Sequence, residues 1–133
     1  MDKKETLKER GIAVFNKHVI SAGILSARDV SELLNIPMSQ VSERREKGLL
    51  LAVQIDQGTV FPGWQFDKGG VIDHFTEIML MLATSSSVSV FRFFQTFDED
   101  LGCTPTDALK NGDPSELEIV KILAKQFNNQ VAR

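Results

Sequence analysis

The stretch from Ser26 to Gly48 limits the fold more than any other part of the chain. Asn35-Ile36-Pro37 falls inside a run that otherwise keeps helical spacing. Proline has no N–H to give a helical ladder, and it pushes the residue before it out of helical geometry. One helix therefore becomes two short ones with a tight turn between them. Ser26 is a suitable N-cap for the first, and Asp29 sits at its third position, near the positive helix end. The second is expected from near Ser39 to Gly48, a glycine placed to close it in the left-handed conformation. Val30, Leu33, Leu34, Ile36 and Val41 supply a small core that fixes the crossing of the pair.

The flanking segments follow from the same punctuation. Residues 5–20 form an amphipathic helix with Leu7, Ile12, Phe15 and Val19 on a loose stripe, interrupted by Gly11 and stopped at Ser21-Ala22-Gly23. After Gly48, the apolar run 49–55 is too short for another helix. It reads as a strand, with Asp56-Gln57-Gly58 as a three-residue hairpin loop and Thr59-Val60-Phe61 as the return. Trp64, the only tryptophan, is expected to pack this hairpin on the next helix. Gly69-Gly70 then precedes a helix over 71–83, with Ile72, Phe75, Ile78, Met79 and Leu82 on one face. A second apolar helix spans 88–97. Thr104-Pro105 and Asp113-Pro114 each start a further helix, with proline at the first position, where its missing N–H costs nothing. Leu117, Val120, Leu123, Ala124 and Phe127 line one face of the last helix. The expected fold is mainly α: a winged helix-turn-helix with a short β-hairpin, followed by a C-terminal helical bundle. The corresponding segments are 1–25, 26–68 and 71–133.

Composition is that of a globular chain, 42% hydrophobic and 25% charged over 133 residues. The net charge is −3, so the whole chain is not a basic coat for nucleic acid. Its distribution is uneven. Residues 1–50 hold nine Lys/Arg against seven Asp/Glu, and residues 51–133 hold six against eleven. DNA contact is therefore expected in the first half, and a protein partner suits the acidic second half. The second short helix exposes Ser39, Gln40, Ser42, Arg44, Arg45 and Lys47, types that reach base edges and phosphates; Arg28 on the first helix joins them. Glu43 and Glu46 dilute this charge. Affinity rises with the number of phosphates neutralised, so a homodimer reading two half-sites is expected.

The words Ser-Ala-Arg-Asp-Val-Ser-Glu-Leu-Leu-Asn-Ile-Pro, from Ser26, and Val-Ser-Glu-Arg-Arg-Glu-Lys-Gly-Leu-Leu, from Val41, are similar to the winged helix-turn-helix of the MerR and excisionase families. The second half resembles the toxin-binding domain of Xre/MbcA/ParS-type antitoxins. The words that carry this are Arg92-Phe93-Phe94-Gln95-Thr96-Phe97, Leu101-Gly102, Thr104-Pro105, Leu109 and Gly112, with Pro62-Gly63-Trp64-Gln65-Phe66 before them. The resemblance spans roughly residues 25–127. It implies a DNA-binding antitoxin that neutralises a partner toxin acting on NAD or transferring ADP-ribose, with the tail Asn128 to Arg133 as a plug for the toxin active site.

Helix 88–97 is apolar on more than one face, which points either to a central position or to a shared surface. Phe91 and Phe94 are expected in the core. Phe93, Phe97 and Leu101 are expected, with Arg133, to meet a partner. Nothing in the sequence assembles an active site or a cofactor site. His18 and His74 stand in different elements, Cys103 is the lone cysteine, tyrosine is absent, and Gly69-Gly70 lacks the context of a phosphate loop. No apolar leader follows Met1, and the longest apolar run, 78–83, cannot span a bilayer, so a cytoplasmic protein without membrane contact is expected. Two alternatives stand beside the antitoxin-like regulator: a protein-interaction module without DNA binding, and an excisionase-type factor that bends DNA.

Overall fold

The structure, a computed structural model, describes residues 7–131. In chain order the elements are α1 (Leu7–Ser21), β1 (Ile24–Leu25), α2 (Ala27–Leu34), α3 (Met38–Glu46), β2 (Val53–Ile55), β3 (Gly58–Pro62), a 3-10 turn (Gly63–Gln65), β4 (Phe66–Asp67), β5 (Gly70–Val71), α4 (Phe75–Met81), α5 (Ser87–Gln95), α6 (Pro105–Asn111) and α7 (Pro114–Val131). The fold is mainly helical, as expected, with a three-stranded antiparallel sheet ordered β1-β3-β2 and a two-stranded ribbon β4-β5. No helix among the described residues is long and apolar enough to cross a membrane.

The hairpin divides the apolar interior into two clusters. Successive strand residues point to opposite faces. Val53, Ile55 and Val60 therefore join the larger cluster, while Ala52 and Phe61 join the smaller one. The larger cluster collects Phe15 and Val19 of α1, Trp64, Phe75 and Ile78 of α4, Phe91 and Phe94 of α5, and Val120 and Ala124 of α7. Trp64 meets Phe75, Phe91 and Phe94 with ring centroids 6.2, 5.6 and 5.5 Å away, the core position expected of it. The smaller cluster sits under α2 and α3, where Val30 and Val41 close on Leu50, Phe61 and Phe66.

Gln65 joins the two halves. Its side chain is fully buried, yet each end of the amide is satisfied. Nε2 donates to the carbonyls of Leu51 and Pro62, both at 2.9 Å, and Oε1 accepts the Leu51 N–H at 2.8 Å. A buried amide left unpaired would oppose folding, so these bonds pin the base of the hairpin in one register.

Three boundaries differ from expectation. The β2–β3 loop has two residues, Asp56 and Gln57, because Ile55 pairs with Gly58. The helix expected over 71–83 begins only at Phe75. Val71 is drawn into the ribbon opposite Phe66, and His74 takes a left-handed φ of 67° that a helix cannot pass through. The helix expected to reach Phe97 stops at Gln95, since the chain turns extended at Thr96 and Asp98 bridges Cys103. Both proline starts are found as expected, with the Thr104 hydroxyl accepting the Asp107 N–H at α6.

Candidate nucleic-acid interface

The α2–turn–α3 unit is built by its caps. Ser26 Oγ accepts the Asp29 N–H and Asp29 Oδ2 accepts the Ser26 N–H, both at 3.0 Å, a reciprocal capping box. The Ser26 bonds, backbone first, hold the Asp29 carboxyl below its ordinary pKa. Asn35 ends α2 at a φ of 58°, a left-handed value asparagine tolerates, and Pro37 turns the chain directly into α3. At the far end, the N–H groups of Gly48 and Leu49 return to the carbonyls of Arg45 and Arg44 at 3.1 and 2.8 Å. This double closure requires a left-handed residue, and Gly48 supplies it with a φ of 77°.

At 3.6 residues per turn, Val41 is the inward residue of α3, and it is buried. Ser39, Glu43 and Glu46 lie opposite it. Gln40 and Lys47 run along one side and Ser42 along the other, all exposed. Arg44 and Arg45 occupy the two flanks nearest the body of the protein, Arg44 half-buried and Arg45 exposed. Arg28 is exposed in the first turn of α2. The predicted basic and polar set is therefore brought to one unit, with α3 carrying most of it.

Charge pairing divides that set. Lys47 Nζ lies 2.9 Å from Glu43 Oε2, and this hydrogen bond, then the charge itself, holds the Glu43 carboxyl below its ordinary pKa. Among the described residues no carboxylate is placed within ion-pair distance of Arg44, Arg45 or Arg28. The hairpin tip offers Asp56 and Gln57 and no cation, so it brings no positive charge to a phosphate strand.

The residues expected to meet a partner separate. Phe97 is 61% exposed. Phe93 is buried instead, because α7 covers it: its ring meets Phe94 at 5.3 Å and Phe127 at 5.4 Å. Leu101 is buried too. The loop 98–104 turns its side chain into the core, the Asp98 N–H bonding the Cys103 carbonyl and Gly102 taking a φ of 73°. The Leu101-Gly102 word is thus a structural connector between α5 and α6. Arg133 lies outside the described residues; Asn128, at the start of the expected plug, bonds Thr84 through its side chain at 2.6 Å. Burial, then Glu116 and Asp107, push the Cys103 thiol above its ordinary pKa, which keeps it protonated and a poor nucleophile at neutral pH.

Two features have no local signal in the sequence: the Gln65 clamp, which joins segments 14 positions apart, and the placement of Arg92 over the ring of Phe15, 5.4 Å from its centroid.

No protein-family model matches the sequence, and no curated protein matches it. Among solved structures, the fold is similar to that of Rv2175c, determined by NMR. The TM-score is 0.63 with 21% identity, covering 80% of this chain and 80% of that one.

Proposed function

We propose that residues 26–66 form a winged helix-turn-helix that binds duplex DNA through α3, and that the protein is a transcriptional regulator. The observation that carries this reading is the presentation of α3. It is anchored by Val41 and capped at its C-terminal end by Gly48, while Ser39, Gln40, Ser42 and Glu43 face solvent with Arg44 and Arg45 on the flanks. In a major groove, Gln40 suits adenine, Glu43 suits the cytosine amino group, and the flanking arginines approach the phosphate strands. Few phosphates are neutralised by one copy, which supports binding as a homodimer on two half-sites. The test is a mobility shift on DNA from upstream of its own gene. Arg44→Ala with Arg45→Ala abolishes a salt-sensitive shift if the reading holds; unchanged binding sinks it.

A second reading adds a protein partner such as a toxin. What favours it is a groove of about 320 Å³ between α5 and α7, floored by Phe93, Leu123 and Phe127 with exposed Phe97 at its edge. Co-purification with a small protein encoded beside it, lost in Phe97→Ser, supports this reading; retention in that variant opposes it.

A further inference from the structure

A hollow of about 550 Å³ lies between α1 and α5, away from α3. We propose that it binds a small aromatic organic acid, an effector site separate from the DNA-reading unit. Arg92 and the imidazole of His18 line it, and among the described residues no carboxylate does. The floor is apolar: Val14, Phe15 and Phe91, with the two rings edge to face at 5.4 Å. An aromatic ring finds matching surfaces there. Arg92 is already oriented, its guanidinium held 5.4 Å from the Phe15 centroid, and no carboxylate among the described residues is within ion-pair distance of it. A planar guanidinium fixed in this way offers a carboxylate two parallel N–H donors. The size and the mix of an apolar floor with few polar groups are those of small-molecule sites in general.

Gly11 points to the same place independently. A glycine inside a helix costs about 1 kcal/mol relative to alanine. Nothing lies within 4 Å of the position its Cβ would take, so no packing inside the chain asks for glycine there. It lines the hollow, so a bulky side chain in its place is expected to narrow the space.

The test is fluorescence titration of the full chain with anilinonaphthalene sulfonate, an aromatic anion that brightens in apolar surroundings. The expected result is saturable binding to one site, displaced by salicylate. Affinity falls at least about tenfold in Arg92→Gln and for the uncharged probe phenylnaphthylamine, the loss of one charged hydrogen-bonded contact, and falls likewise in Gly11→Leu, whose side chain occupies the space. Gly11→Leu keeps or raises the thermal midpoint, since leucine is the better helix former, and this separates a filled hollow from a misfolded chain. Phe97→Ser, in the other groove, leaves binding unchanged. The proposal is overturned by any of three outcomes: no saturable binding, equal affinity for the uncharged probe, or binding that survives Gly11→Leu and is lost in Phe97→Ser.

Discussion

Replacing Gln65 by leucine removes the clamp between the two clusters while keeping similar bulk. The magnitude follows from its three hydrogen bonds. Leucine leaves the Leu51 N–H, the Leu51 carbonyl and the Pro62 carbonyl without the amide in a dry interior. Stranding a buried polar group costs about 1–3 kcal/mol, and added apolar burial returns part of that. The expected net loss is about 3 kcal/mol, a large share of a domain's stability. With a urea dependence of about 2 kcal/mol per molar, the unfolding midpoint falls by about 1.5 M. Trp64 is the assay: it is the sole tryptophan, 8% exposed and surrounded by phenylalanine rings, so its emission follows loss of the larger core. A midpoint shift under about 0.5 M refutes the argument that Gln65 holds the hairpin base.

Three further outcomes are expected. Thr106 is buried, and its hydroxyl donates to the Phe94 carbonyl at 2.8 Å and accepts from Gln95 at 3.1 Å; Thr106→Val should cost about 1–2 kcal/mol, read as a thermal midpoint several degrees lower, and an unchanged midpoint contradicts it. The folded-state pKa of Asp29 is depressed, so its contribution to stability is complete above the ordinary aspartate pKa and is lost as pH falls through the lowered value; the stability gap between the protein and Asp29→Asn should close in acid, and a gap constant from neutral pH to about pH 2 contradicts it. Glu43→Gln frees Lys47 from its 2.9 Å partner, so non-specific DNA affinity should rise and the salt slope steepen by about one unit per bound protomer; weaker binding contradicts the orientation given to α3.

What could be read from the sequence was local. Ser26 with Asp29, Pro37, Gly48 and the Thr104-Pro105 pair act within a turn of where they stand, and each element start or stop they signal is found close to its expected place. The helix expected from Val71 is legible only in part. Its apolar spacing fits a helix, but pairing with Phe66 outweighs that preference, and no residue near Val71 announces the partner strand. The same limit applies to the candidate sites. Exposed residues of α3 follow from period alone. Phe93 and Phe97 do not, because the expected helix 88–97 is apolar on more than one face and only the position of α7 decides which ring is covered. Leu101 looked like a surface word; its burial depends on the left-handed Gly102 behind it.

The central claim is that α3 meets DNA with its arginine flanks on phosphates. Binding of a fluorescent duplex, measured by polarisation from about 20 to 200 mM salt, tests it most directly, because each lost phosphate contact lowers the slope of log affinity against log salt by about 0.9. The protein should bind with a clear salt slope, and Arg44→Ala with Arg45→Ala should flatten it by close to two units per bound protomer. A duplex left unbound at the lowest salt, or one bound with the same slope by the double variant, contradicts the claim.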